Sequence, residues 1–187
     1  FPTVYKFVSE TGNLAFMDEE ITWSNIEEKA SVYEHLKRAI DFSMNHLGPH
    51  GLPAGLHADW NDCLRLGKNG ESSFVAMQLY YAFTIMRKFA EKKNDTEYIA
   101  YLDKTQKEIG EKINKLWWED DRFNRGFKET GELIGSKKDP EASMWLNPQT
   151  WSVISGLATR EQADKAMASV DRELNTAYGA KIMAPSY

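Results

Sequence analysis

Apolar residues recur at a spacing of about 3.6 along most of this chain and strict alternation is scarce, so the pattern predicts a mainly helical protein. The first predicted segment, around Val4 to Glu10, is amphipathic and stops at Gly12, a residue suited to the left-handed turn that closes helices. Leu14, Phe16 and Met17 then lead into Asp18-Glu19-Glu20, which reads as a solvated turn. From about Lys29 to Leu47 the residues Val32, Leu36, Ala39, Ile40, Ser43 and Leu47 form one stripe, with Glu34, Lys37, Arg38 and Asp41 opposite; Gly48-Pro49 ends it. Glu71 to Lys93 is different in kind, because Phe74, Val75, Met77, Leu79, Tyr80, Phe83, Ile85, Met86 and Phe89 leave little of the circumference polar. Such a helix is buried on most sides. Asp95 caps the next, in which Tyr98, Ile99, Leu102, Ile109, Ile113 and Leu116 oppose Lys104, Lys107, Glu108, Glu111 and Lys112. A nearly all-apolar helix followed by a half-charged one predicts helical hairpins in two nested layers.

Two stretches break the rhythm. Residues His50 to Gly70 form a Gly- and Pro-bearing connection too long for a tight turn, and such loops are often functional. Trp118 to Asp139 turns to charged text punctuated by Gly126, Gly131 and Gly135, which predicts a β-hairpin or irregular excursion at about 119–138. Asn147-Pro148 then opens a helix stopped at Gly156, and Thr159 with Gln162 fits a capping box starting a last helix through Val170 and Leu174. No short repeat at a fixed period accompanies this helix-loop-helix alternation.

Composition narrows the function classes. The 187 residues suit one domain, and 23 Lys+Arg against 28 Asp+Glu, a net charge of -5, disfavour nonspecific binding to nucleic acid. No run approaches the roughly 18 to 20 apolar residues of a membrane span. A single cysteine, Cys63, makes no internal disulfide, and the cytoplasm is the simplest compartment to expect. Phe1 opens inside an amphipathic segment and Tyr187 closes without a polar tail, so the chain reads as a piece of a longer protein.

Candidate chemistry concentrates in His57-Ala58-Asp59-Trp60-Asn61-Asp62-Cys63. An indole beside a carboxylate suits carbohydrate chemistry, the ring stacking on a sugar and a desolvated acid holding its proton for a leaving oxygen. Local spacing equally allows Asp59 and Asp62 to cap the following helix with Trp60 in the core. A calcium loop fails, since Leu64 stands where the turn glycine belongs and Gly70 where the bidentate glutamate belongs. His57 and Cys63 lack a zinc-ligand pattern, as do His35, His46 and His50, so no metal is expected. Cys63 with His57 shows no further sign of a triad, and a buried thiol is the simpler reading. Trp117, Trp118, Trp145 and Trp151 suit a sugar cleft or a core, and Ser136-Lys137-Lys138 is taken as a solvated basic pair without a phosphate loop.

The wording of the loop is more specific than its spacing. Gly51-Leu-Pro-Ala-Gly-Leu-His-Ala-Asp-Trp-Asn-Asp-Cys-Leu64, followed by Gly70-Glu-Ser-Ser-Phe74, closely resembles the catalytic-loop region of glycoside hydrolase family 94, the cellobiose and diacetylchitobiose phosphorylases. The likeness continues through Gly135-Ser-Lys-Lys-Asp-Pro-Glu-Ala-Ser-Met-Trp-Leu-Asn-Pro-Gln-Thr-Trp-Ser-Val-Ile-Ser-Gly156. It implies an all-α fold, part of an (α/α)₆ barrel, and reversible inverting phosphorolysis of a disaccharide or oligosaccharide. Asp62 would be the general acid and Trp60 would touch the transferred sugar. Inorganic phosphate would be the co-substrate, with no cofactor and no metal, and the full-length protein would be a homodimer. An N-terminal β-sandwich and the remaining barrel helices lie outside the chain on this reading, which makes the isolated chain inactive. An inverting hydrolase on the same barrel, or a noncatalytic carbohydrate-binding or structural module, are the competing readings.

Overall fold

Side-chain caps set several of the helix boundaries. In the computed structural model, which describes residues 1–24, 26–61 and 64–187, α1 spans Pro2–Thr11 and closes on Gly12 at φ 67°. Asn13 caps a short 3-10 helix, Leu14–Asp18, by accepting the Phe16 N–H. The remaining helices are α2 (Val32–Met44), α3 (Ser73–Lys93), α4 (Thr96–Trp117), α5 (Leu146–Ile154) and α6 (Arg160–Glu173). Asp95 Oδ1 accepts the Tyr98 N–H at 3.1 Å at the start of α4. Thr159 and Gln162 form the reciprocal capping box ahead of α6. About half of the chain is helical, and no helix among the described residues is long and apolar enough to cross a membrane.

Nine short strands accompany the helices among the described residues: β1 (Glu20–Thr22), β2 (Lys29–Ser31), β3 (Glu71–Ser72), β4 (Trp118–Glu119), β5 (Arg122–Phe123), β6 (Gly126–Phe127), β7 (Leu133–Ile134), β8 (Met144–Trp145) and β9 (Met183–Ala184). All pairings are antiparallel: β1 with β2, β4 with β5, β8 with β9, and the three-stranded order β3-β6-β7. The excursion expected at 119–138 is thus two hairpins. An all-α description is too narrow, because β1–β2, β3 and β8–β9 lie outside that window. Ladders of two or three residues are too short to show alternation in sequence.

Two helices start later than the periodicity predicts. Ser31 Oγ accepts the Glu34 N–H at 3.1 Å and Lys29–Ser31 pair with β1, so α2 begins at Val32 rather than Lys29. Glu71 and Ser72 pair with Phe127 and Gly126, so α3 begins at Ser73. Gly126 is required there: with φ 154°, a Cβ would strike the Glu71 carbonyl oxygen. Helix α2 ends at Met44, before Leu47, whose backbone bridges Pro53 instead. Asp18 closes the 3-10 helix and Glu20 opens β1, so the acidic run is divided between two elements.

The chain forms two compact units, residues 1–45 with 82–106 and residues 46–81 with 107–187. In the first, Met17, Ile40, Phe83, Met86 and Leu102 are sealed from solvent, and Tyr5 packs edge-on against Phe89 at 6.0 Å. The Tyr33 hydroxyl donates to Asp95 Oδ2 at 3.1 Å while Lys37 Nζ lies 3.5 Å from the same oxygen. Burial, reinforced by Asp95, raises the Tyr33 phenol, which fixes it as a donor.

In the second unit Met77, Ile109, Ile113, Trp117, Phe123 and Trp145 form the interior. Buried Gln149 stitches α5 to β5, accepting the Phe123 N–H at 2.8 Å and donating to the Phe123 and Trp145 carbonyls at 2.8 and 3.0 Å. Arg122 makes a two-pronged pair with Glu173 at 2.8 and 2.5 Å and reaches Asp121 at 3.0 Å. Lys137 Nζ joins Asp121 at 2.9 Å, so Lys137 belongs to an ion-pair network rather than to a solvated basic pair. Partial burial pushes the Asp121 carboxyl up, but hydrogen bonds from Arg122 and Lys137 more than offset it and hold the group well below the usual range.

Candidate functional site

The connection between α2 and α3 is long but tightly organised. Backbone bonds run across it from Gly48 N–H to Leu52 O at 2.7 Å, Ala54 N–H to His46 O at 2.9 Å, Gly55 N–H to Gly70 O at 2.7 Å and Leu56 N–H to Lys68 O at 3.0 Å. Its fixed point is Glu71, a carboxylate with no exposed surface. One oxygen accepts the N–H groups of His50 and Leu52 at 3.0 and 3.1 Å, and the other accepts His50 Nδ1 at 2.5 Å. The His50 ring is in turn stacked on Phe127 at 4.3 Å.

Beyond this anchor the chain reverses at residues 55–58. Ala58 N–H bonds Gly55 O at 2.8 Å, and Leu56 and His57 both have positive φ, 52° and 69°. These are the signs of a type I′ turn, which favours Asn-Gly at its corners and is strained with Leu-His. Because His57 is exposed, His57→Gly should relieve that strain and stabilise the fold by about 1 kcal/mol, read as a raised midpoint in urea unfolding. An unchanged or lowered midpoint would contradict the strain.

The turn delivers Asp59 inward. Its side chain is 1% exposed and that of its partner Arg125 is 0% exposed. Asp59 Oδ1 accepts Arg125 Nη2 and the Asn61 N–H, the latter at 3.0 Å. Asp59 Oδ2 accepts the Ser72 hydroxyl at 2.7 Å, and Ser72 Oγ itself accepts Arg125 Nη1 at 2.8 Å. Guanidinium, carboxylate and hydroxyl therefore close a ring. Arg125 lies between the Phe74 and Trp145 rings, 6.0 and 5.4 Å from their centroids. Burial draws its guanidinium below the ordinary value, with Asp59 opposing the shift. Its carbonyl accepts Ser73 N–H and Ser73 Oγ at 3.1 and 2.8 Å, which ties the start of α3 to the same residue.

With Asp59 turned in, its neighbour Trp60 is turned out. Trp60 is 64% exposed, and its ring meets Phe74 edge-on, 6.1 Å between centroids. Trp60 is therefore not a core residue. Asp62 and Cys63, the sequence candidates for acid and thiol, lie outside the described residues. Trp117 and Trp145 are core, with 0% and 2% exposure, whereas Trp118 and Trp151 are half-buried, packed against Phe123 and Phe74. A cavity of about 580 Å³ opens beside the loop, lined by His57, Asp59, Arg65, Lys128, Glu129 and Thr130 among others.

Sequence reasoning missed Arg125, Ser72 and Glu71. One signal was present: Phe123, Arg125 and Phe127 share an alternating register, which marks an arginine in an apolar series as inward-facing.

Comparison with known proteins bears on what this loop belongs to. A family model described as glycosyl hydrolase 94 superfamily, catalytic domain, matches residues 1–187. The chain belongs to the glycosyl hydrolase 94 superfamily. This family 94 chain is 40% identical over 192 residues to the N,N'-diacetylchitobiose phosphorylase of Vibrio proteolyticus, covering 100% of the chain and 23% of that protein. It is 34% identical over 190 residues to the solabiose phosphorylase of Paenibacillus borealis, covering 100% of the chain and 25% of that protein. It thus spans about a quarter of the length of these relatives. In fold it is similar to a GH78 family rhamnosidase of Bacillus sp. GL1, with a TM-score of 0.68 at 15% identity over 89% of the chain and 16% of the rhamnosidase.

Proposed function

We infer that this family 94 chain is part of the (α/α)₆ catalytic barrel of an inverting disaccharide phosphorylase. The reaction cleaves a β-glycosidic bond with inorganic phosphate and yields an α-sugar 1-phosphate and a free sugar. Asp62 is the general acid that protonates the glycosidic oxygen, and Trp60 offers its indole to the transferred sugar. Two named relatives are phosphorylases of disaccharides, and family membership over the whole chain supports extending that chemistry here.

The observation that carries the reading is the division of labour in Asp59-Trp60-Asn61-Asp62: Trp60 is open to a ligand, while Asp59 is enclosed and paired with Arg125. An inverting hydrolase needs a second carboxylate free to deprotonate water. Phosphate arrives as an anion and needs no such base, so one acid suffices. Asp59, ion-paired and out of solvent, is not that second carboxylate, and Asp62 is left as the acid of this run.

The test is product analysis with the complete protein that carries this chain, on a panel that begins with N,N'-diacetylchitobiose and cellobiose. Sugar 1-phosphate should form in proportion to added phosphate, and none should form without it. Cleavage that proceeds equally well without phosphate would replace this reading with a hydrolase. The 187-residue chain by itself should turn over neither substrate.

A further inference from the structure

The ring of Asp59, Ser72 and Arg125 has no direct part in the chemistry just described, yet it is the most enclosed polar cluster beside the loop. Its members come from three separate stretches: Asp59 from the loop, Ser72 from β3, and Arg125 from the link between β5 and β6. Asp59 is 66 positions from Arg125 and 13 from Ser72 in the chain. Within the ring Arg125 donates to both partners through its two terminal nitrogens, Ser72 donates to Asp59, and Asp59 accepts from both while also holding the Asn61 N–H at 3.0 Å; the buried Arg125 Nε has no partner among the described residues. The Asn61 bond fixes the backbone on the C-terminal side of Trp60, one residue before Asp62. Ser72 immediately precedes α3, whose Phe74 supports the Trp60 edge.

We propose that Arg125 is a positioning residue for the sugar-facing loop, acting through Asp59 and Ser72 to hold Trp60 outward and to fix the segment that leads into Asp62. The proposal rests on the phosphorylase reading and deepens it by naming what holds the backbone at Asn61, just ahead of the acid. A buried ion pair is a poor source of stability, because an apolar pair of similar volume often does as well. What it supplies here is direction: two carboxylate oxygens held by a planar guanidinium and a hydroxyl leave the loop one orientation. Displacing a catalytic group by about 1 Å can cost on the order of a hundredfold in rate.

The experiment separates direction from stability. In the complete protein, Arg125→Met and Asp59→Ala each strand a buried charge and should lower the melting temperature. The double variant removes both charges, so its melting temperature should return toward wild type. Its kcat on the disaccharide should nevertheless stay about a hundredfold or more below wild type. Its rate on a p-nitrophenyl β-glycoside, whose leaving group needs little protonation, should fall less than about tenfold. Recovery of kcat together with melting temperature, or an equal loss on both substrates, would overturn the proposal. If the double variant does not fold, Ser72→Ala decides: a kcat on the disaccharide about tenfold lower at near-normal melting temperature supports the proposal, and unchanged kcat overturns it. A wild-type protein that forms no sugar phosphate would remove the phosphorylase reading itself, which is a separate result.

Discussion

Asp62→Asn in the complete protein should reduce phosphorolysis by about 10³- to 10⁴-fold in kcat while leaving the melting temperature within a few degrees of wild type. Asparagine keeps the size and hydrogen-bonding reach of aspartic acid but carries no transferable proton, so the departing sugar oxygen would leave as an alkoxide. Sugar 1-phosphate release, followed against time at saturating substrate, measures the effect. Near-normal turnover in this variant would remove Asp62 from the acid role and with it the mechanism proposed above. Because the attacking phosphate needs no base, no second carboxylate is expected to give an equal loss at the attacking side.

The second large effect concerns the anchor of the loop. Glu71→Ala should destabilise the protein by about 2 to 4 kcal/mol, since it leaves the buried N–H of Leu52 without an acceptor and takes the acceptor from the part-buried N–H and Nδ1 of His50. The cavity left by the side chain adds to the loss. Denaturant titration of wild type and variant gives the difference, and a change under about 1 kcal/mol would mean that water enters and satisfies these donors. Glu71→Gln is expected to fall between the two, because an amide oxygen accepts as before while the amide nitrogen faces another donor.

Much of the helical framework was legible in the sequence because its signals are local. Gly12 closing α1, Asp95 capping α4 and the Thr159–Gln162 box ahead of α6 each involve residues within one turn of the boundary they set. The enclosed α3 and the half-exposed α4 were equally readable from circumference: Met77, Phe83 and Met86 are buried, while α4 hides Leu102, Ile109 and Ile113 and exposes Lys104, Lys107 and Glu108. What escaped was set by partners distant in the chain. Glu71 and Ser72 read as the first turn of a helix, and only the ladder with Gly126 and Phe127 makes them strand. Asp59 read as a carboxylate beside an indole or as a helix cap, and nothing near it in sequence announces Arg125. The outward pose of Trp60 follows from that same pairing, so it too was beyond local reading. The loop's family likeness was visible in its wording, and through it Asp62 was named as the acid, but the burial of Asp59 against Arg125 was not visible.

Arg125 is held on several sides at once: its amide donates to Ile134 O at 2.8 Å, its carbonyl holds Ser73, and its two terminal guanidinium nitrogens hold Asp59 and Ser72. A change at such a position is felt in several elements at once. At a solvent-facing site such as Lys104 a new side chain alters little beyond what it meets in water. A new side chain at position 125 would instead disturb the loop and the start of α3 together.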